Sequence, residues 1–123
     1  MMAKVLIVDD EITTVDMLSK ALQLIGHEPL PAYGGEHALR SLEEETLDMI
    51  LLDLMMPGMD GYETLRRVRT SPAGHDIPVV IVTASPDPDL EQRVSASGGN
   101  GFLRKPVDLD ALSRTIEALT HPA

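Results

Sequence analysis

Residues 49–58 of this chain have the sequence Met-Ile-Leu-Leu-Asp-Leu-Met-Met-Pro-Gly. The apolar run that opens this stretch is too short for a helix, and it predicts a strand buried on both faces of a parallel sheet. Asp53 lies at the C-terminal end of that strand, and Pro57-Gly58 then predicts a turn. Because ligands of open α/β sheets bind just outside the carboxyl ends of the strands, we expect Asp53 to be chemically modified there.

The chain is acidic and free of cysteine. It has 123 residues and a formal net charge of -10. This charge argues against binding nucleic acid through a basic face or docking to an anionic membrane, and it is compatible with binding cations. The lack of cysteine excludes disulfides, thiolate metal sites and a cysteine nucleophile. The length predicts one domain over residues 1–123, and because no signal peptide or membrane-spanning run is evident we expect a cytoplasmic protein.

Strand and helix patterns alternate five times along the chain. The predicted strands are residues 5–8, 28–32, 49–52, 78–82 and 102–104. Pro29 and Pro31 place the second strand at an edge, because neither residue can donate to a ladder. This alternation is typical of an α/β fold, a doubly wound parallel sheet covered by helices on both faces, and right-handed crossovers leave only a few strand orders.

Three of the helix patterns give specific expectations. The first helix is predicted over residues 12–25 with an inward face of Ile12, Val15, Leu18, Leu22 and Ile25. The third begins near Asp60 or Gly61 and has a solvent-facing side of Arg66, Arg67 and Arg69. The fourth opens within residues 85–89, where prolines and acids favour a helix entry, and ends near residue 97. Since it has little beyond Leu90 and Val94 to bury, we expect it to be the least firmly packed helix.

Reactive side chains follow four of the predicted strands. They are, in chain order, Asp9 with Asp10, then Asp53, Thr83 and Lys105. Because parallel strands end at the same edge of the sheet, these side chains should meet there. Two carboxylates about 4 Å apart repel by roughly 4 kcal/mol at an effective dielectric near 20, so three acids at this edge need a cation. Oxygen ligands beside a phosphate suit Mg²⁺, or Mn²⁺ in its place.

The side chains around Asp53 suit phosphoryl chemistry. Lys105 would supply one positive charge for phosphoryl oxygens, and the Thr83 hydroxyl one hydrogen bond. Asp53 would then be the attacking carboxylate and form an acyl phosphate.

Taken together, these segments resemble the receiver domain of response regulators in two-component signalling. The resemblance runs over about residues 4–119 and depends on Val-Asp-Asp at 8–10, Leu-Asp-Leu-Met-Met-Pro-Gly-Met-Asp-Gly at 52–61, Thr-Ala at 83–84 and Lys-Pro at 105–106. Each motif alone is weak, but all of them in order at the family's spacing are a very specific signal. The resemblance implies a CheY-like, flavodoxin-like sheet with strand order 2-1-3-4-5.

The resemblance also implies roles for the residues at the site. Asp53 would accept a phosphoryl group from a histidine kinase or phosphotransfer protein. Asp10, Asp53 and the Met55 backbone carbonyl would surround Mg²⁺, while Asp9 would hold a metal-bound water or orient Lys105. The residues two past the aspartate and two past the threonine, which are Met55 and Ser85 in this chain, set the dephosphorylation rate in this family. Met55 offers no group that could orient a water, so we expect slow to moderate self-hydrolysis.

Thr83 and Phe102 match the family's conformational switch. Thr83 would move toward the phosphoryl group, and Phe102 would rotate into the space that it leaves. Phenylalanine replaces the commoner tyrosine here, and its inward ring leaves no polar group unsatisfied, so we expect an inward bias before phosphorylation. Gly101 stands where the family more often has an acid or an amide, which predicts a less rigid loop.

The leading interpretation is a phosphorylation-controlled switch and not an enzyme that turns over an external substrate. Its output surface would be the fourth helix, the Phe102 strand and the last helix, which a downstream protein, an output domain or a second copy binds. A haloacid dehalogenase phosphatase is disfavoured because Met55 replaces its second aspartate. A flavodoxin is disfavoured by the carboxylates in the first loop, and an unphosphorylated receiver-like scaffold by the intact Asp, Thr and Lys set. The sequence leaves open whether the chain is a whole regulator or part of a longer protein.

Overall fold

A computed structural model describes residues 2–120, which form a parallel sheet between two layers of helices. The strands are β1 (Lys4–Val8), β2 (Glu28–Ala32), β3 (Met49–Leu52), β4 (Val79–Thr83) and β5 (Gly101–Arg104). The helices are α1 (Ile12–Leu24), α2 (Gly35–Glu44), α3 (Gly61–Thr70), α4 (Leu90–Ala96) and α5 (Leu109–Thr120). The strand order is β2-β1-β3-β4-β5 and all pairs are parallel, so the predicted fold is confirmed. Within residues 2–120, no helix has both the length and the apolar character needed to cross a membrane.

The central strands separate two hydrophobic cores. On β3, Ile50 and Leu52 belong to the core shared with α2, α3 and α4. Met49 and Leu51 belong to the opposite core, shared with α1 and α5. All four β3 residues are buried, which confirms the strand predicted to be covered on both faces. The Asp53 backbone N–H donates to the Val8 carbonyl at 2.9 Å, so the strand pairing extends to the first site residue.

Two predictions about where helices begin were wrong in part. Ile12 was expected to face inward, but it is 64% exposed, because it is the first residue of α1 and precedes the turn that packs on the sheet. The fourth helix begins at Leu90 and not within residues 85–89. The reason is a turn in which the Asp87 carboxylate accepts from the Asp89 backbone N–H at 2.9 Å. The helix has seven residues, and Leu90 and Val94 are its buried residues, as expected.

Arg69 was predicted to face solvent, but the structure shows that it does not. Its guanidinium donates to four oxygens at the opposite end of the sheet from Asp53, those of the Gly74, Ile77 and Gly98 carbonyls and the Asn100 side chain, at 2.7 to 3.0 Å. Arginine has five N–H donors in a planar fork, so it can satisfy several loop carbonyls at once. Arg69 therefore connects α3 to the loop that leads into β5.

Candidate functional site

Three carboxylates meet at the carboxyl edge of β1 and β3. Asp9 and Asp10 follow β1, Asp53 follows β3, and one oxygen of each lies within 4.8 Å of the others. Asp9 is 2% exposed and Asp53 is 5% exposed, whereas Asp10 faces solvent. The cluster therefore combines two buried acids with one that is open to water.

Lys105 places an ammonium group beside the two buried acids. Its Nζ lies 2.9 Å from Asp9 Oδ2 and 3.7 Å from Asp53 Oδ1. The Lys105 backbone N–H donates to the Thr83 carbonyl at 2.9 Å, and the peptide bond to Pro106 is cis. Burial alone would lower the pKa of Lys105, but the hydrogen bond to Asp9 and the charges of Asp53 and Asp9 raise it above its ordinary value. The amine stays protonated, so one ammonium group lies beside the two buried acids.

Asp9 is held by protein donors on both of its oxygens. Asp9 Oδ1 accepts from the Glu11 backbone N–H at 2.9 Å, and Oδ2 accepts from Lys105 at 2.9 Å. This is the geometry expected of a residue that orients Lys105.

The surroundings of the Asp53 carboxyl group disfavour its ionisation. Burial first, and then the charge of Asp9, raises the pKa of Asp53 from 3.8 to about 6, against the opposing effects of Lys105 and a backbone hydrogen bond from Met55. A divalent cation would remove the remaining repulsion. The donors are oxygens, few in number and open to water on the Asp10 side, which is the set that Mg²⁺ prefers. The residues present therefore fit the metal that the sequence predicts.

The segment after Asp53 requires glycine at two positions. Gly58 has a φ of 75°, in the left-handed region that favours glycine. At Gly61, the first residue of α3, an added Cβ would lie 2.4 Å from the Asp53 carbonyl oxygen. The Gly61 N–H also donates to the Leu54 carbonyl at 3.0 Å. Helix α3 therefore packs directly on the backbone that positions Asp53.

Thr83 on β4 and Phe102 on β5 lie outside the carboxylate cluster. Thr83 is fully buried at the end of β4, and its Oγ1 accepts from the Ser85 backbone N–H at 3.1 Å. Phe102 is half-buried on β5, packs against the core shared with α4, and has the Arg104 guanidinium 5.4 Å from its ring centroid. The inward bias of Phe102 before phosphorylation stays a prediction.

Two arginine contacts near the site were missed by sequence reasoning. Arg104 donates to the backbone carbonyls of Ser85 and Asp87, the latter at 3.2 Å. Arg93 donates to the Asp87 carboxylate at 2.7 Å and lies 5.2 Å from the Tyr62 ring centroid. Both arginines are exposed and belong to no motif, so no pattern in the sequence distinguishes them from other surface arginines.

Comparisons with known proteins agree with this architecture. A family model described as the response regulator receiver domain matches residues 5–117. A probable chemotaxis protein CheY from Rhizobium etli is 37% identical over 117 residues, which are 94% of this chain and 91% of that protein.

Solved structures with similar folds extend the comparison. A putative response regulator from Chloroflexus aurantiacus has a TM-score of 0.91 and 31% identity, covering 98% of both chains. The receiver domain of sensor histidine kinase PA1611 from Pseudomonas aeruginosa, solved with a magnesium ion coordinated in its active-site cleft, has a TM-score of 0.88 and 26% identity, again over 98% of both chains. The family match and the strand order together show that this chain belongs to the response regulator receiver domain family.

Proposed function

We propose that this chain is a phosphorylation-activated signalling switch in which Asp53 accepts a phosphoryl group. The observation that supports this most strongly is the cluster at the sheet edge, where Asp9, Asp10 and Asp53 lie together and Lys105 Nζ is 3.7 Å from Asp53. A nucleophilic carboxylate, an ammonium group and a cation-binding set of acids are the parts that phosphoryl transfer to aspartate needs. The match to the response regulator receiver domain family supports the same interpretation of the carboxylate cluster.

The metal would be Mg²⁺, with Mn²⁺ as a substitute. Asp10, Asp53 and the Met55 carbonyl would hold it, and Asp9 would reach it through a water. When bound, the ion supplies positive charge that offsets the carboxylates and the incoming phosphoryl oxygens. The solvent-facing position of Asp10 leaves this side of the cluster accessible.

The protein's own residues carry the transfer itself. An Asp53 carboxylate oxygen attacks the phosphorus of a phosphohistidine on a histidine kinase or phosphotransfer protein. The new O–P bond forms as the P–N bond breaks, and the imidazole nitrogen keeps the electron pair. Lys105 balances the charge of the phosphoryl oxygens, and the Thr83 hydroxyl donates to one of them. A water later attacks the phosphorus, the bond between Asp53 and phosphorus breaks, and inorganic phosphate leaves the free Asp53 carboxylate.

The output would be binding, through the surface formed by α4, β5 and α5. This surface includes the short helix α4 and the half-buried Phe102. Thr83 and Phe102 would change position together and alter that surface for a downstream protein, an output domain or a second copy of the chain. Residues 1–123 would act as one receiver domain in the cytoplasm, with no direct contact to nucleic acid or membrane.

Phosphorylation by a small donor tests the proposal. Incubated with Mg²⁺ and acetyl phosphate, the wild-type chain should gain the mass of one phosphoryl group in intact mass spectrometry, and EDTA should prevent the gain. Asp53→Asn should show no gain, whereas Asp16→Asn, a matched change of an exposed carboxylate on α1, should behave like wild type. A wild-type chain that stays unmodified would contradict the proposal and favour a scaffold that acts without phosphorylation.

A further inference from the structure

Arg104 connects β5 to the loop that follows β4. In the sheet register Arg104 pairs with Thr83, so its side chain starts beside the residue at the end of β4. From there its guanidinium reaches the backbone carbonyls of Ser85 and Asp87, and it also covers the Phe102 ring at 5.4 Å. One exposed side chain therefore contacts both the loop after Thr83 and the aromatic residue of the proposed switch.

The loop after β4, which Arg104 contacts, is joined to the Thr83 hydroxyl by local hydrogen bonds. Thr83 Oγ1 accepts from the Ser85 N–H at 3.1 Å, and Ser85 Oγ accepts from the Asp87 N–H at 3.3 Å. Since Ser85 is bound to Thr83 through its N–H and to Arg104 through its carbonyl, it lies between the two. A movement of the Thr83 hydroxyl toward Asp53 would pull Ser85 away from Arg104 or break its bond to Thr83.

We propose that Arg104 is a positioning residue that holds Thr83 and the following loop in the resting arrangement, so that phosphorylation of Asp53 must work against it. This inference depends on the proposed function, because it concerns the regulation of the same site. Within residues 2–120, Arg104 makes no hydrogen bond or ion pair with Asp53, and it acts through the backbone of Ser85 and Asp87.

Arg93 provides a matched comparison within the same region. It contacts the Asp87 carboxylate and the Tyr62 ring, and so connects α4 to the loop and to α3. Among residues 2–120, Arg93 makes no hydrogen bond to the backbone of Ser85, whose N–H is bound to Thr83. Replacing Arg93 therefore removes the same charge from the same side of the molecule while the contacts of Arg104 remain.

Affinity for beryllofluoride, a phosphoryl analogue that binds a carboxylate, tests the inference. Beryllofluoride is titrated in the presence of Mg²⁺ and binding is followed by NMR. We expect Arg104→Met to bind it about fivefold more tightly than wild type, because the variant loses charge-assisted hydrogen bonds and a cation–π contact that stabilise the resting state. Simple electrostatics predicts the opposite sign, because removing a positive charge from an acidic protein weakens anion binding. The direction of the change therefore separates the two explanations.

Two further variants complete the experiment. Arg104→Lys keeps the charge but cannot span two carbonyls with a planar fork, so it should also tighten binding, by less than Arg104→Met, and it stands in if the methionine variant fails to fold. Arg93→Met should leave the affinity unchanged or weaken it. Amide hydrogen exchange of Ser85 and Asp87 should become faster in both Arg104 variants and not in Arg93→Met.

The outcomes separate this inference from the function on which it depends. A wild-type chain that binds no beryllofluoride with Mg²⁺ would overturn the proposed function and this inference with it. If wild type binds but Arg104→Met and Arg104→Lys bind equally well or more weakly, Arg104 does not restrain the switch. Equal tightening by Arg93→Met would likewise overturn the inference, since the effect would then belong to α4 as a whole.

Discussion

The β1–β3 half of the molecule and its α4–β5 edge are stabilised by different kinds of contact. Strand β3 is buried along its whole length, and Leu52, next to Asp53, is 0% exposed. Helix α4 has seven residues, of which Leu90 and Val94 are buried. The loop between β4 and α4 is held by hydrogen bonds from the exposed residues Arg93 and Arg104. Apolar burial therefore fixes one half, while exposed polar contacts hold much of the other.

This difference matches the tasks that we propose for the two halves. Apolar burial is worth several times more free energy per side chain than an exposed ion pair, so the carboxylates at the end of β1 and β3 have a rigid base. The α4–β5 edge depends on contacts that differ little in free energy from their alternatives. A modification at Asp53 can therefore rearrange the edge without disturbing the sheet beneath it.

A pair of identical substitutions tests this contrast with the largest expected effect. Leu52→Ala on β3 should lower the free energy of unfolding by about 4 kcal/mol, and Leu90→Ala on α4 by about 2 kcal/mol, because a short helix at the edge can relax into the space. Both side chains belong to the same core and are at most 1% exposed, so the chemistry is matched. Urea unfolding measures both values. Equal losses would show that the two halves are equally rigid.

The pH dependence of stability tests the electrostatic strain on the rigid side. In metal-free protein the pKa of Asp53 is raised to about 6, mainly by burial and then by Asp9, so the folded state binds this proton more tightly than the unfolded state does. The contribution of Asp53 to stability should fall as the pH rises from about 4 to about 6, and stay low above that. At neutral pH Asp53→Asn should be more stable than wild type by on the order of 2 kcal/mol.

The difference in unfolding free energy between wild type and Asp53→Asn separates the effect of Asp53 from that of the other acids. Urea unfolding with EDTA, at about pH 5 and about pH 7.5, should show a larger gain for Asp53→Asn at the higher pH. A gain that is the same at both values, or a loss at the higher one, would mean that Asp53 is not strained by its surroundings. Added Mg²⁺ should reduce the destabilisation that ionised Asp53 causes in wild type. It should raise the stability of Asp53→Asn by less.

A smaller effect should appear in the lifetime of the phosphorylated protein. Met55 is 69% exposed beside Asp53 and has no group to orient an attacking water. Met55→Asn should shorten the half-life of phospho-Asp53 by on the order of fivefold, since an amide can position that water. Met2→Asn, at a methionine that is 62% exposed before β1, is the matched control. An unchanged half-life in Met55→Asn would refute the role given to this position.

The fold and the carboxylate cluster could be predicted because they depend on burial and on strand ends. The apolar run at 49–52 and the alternation of strand and helix patterns report which backbone is covered, and parallel strands bring Asp9, Asp53 and Lys105 to one edge. The contacts of Arg69 and Arg104 could not be predicted. They are made to backbone carbonyls of distant loops, whose positions no periodicity reports.

The start of α4 was missed for a similar reason. Residues 85–89 contain the prolines and acids of a helix entry, but the Asp87 carboxylate binds the Asp89 N–H and closes a turn first. Ile12 has helical spacing and yet is exposed, because spacing does not tell whether the first turn of a helix reaches the sheet. Local hydrogen bonds and helix ends therefore set the limit of what the pattern predicts.

The most direct test of the central claim is to locate the phosphoryl group after reaction with acetyl phosphate and Mg²⁺. Borohydride reduces an acyl phosphate on aspartate to homoserine, which peptide mass spectrometry can place on the chain. We predict homoserine at position 53 and unmodified aspartate at positions 9 and 10. Homoserine at position 9 or 10, or at none of the three, would contradict the account.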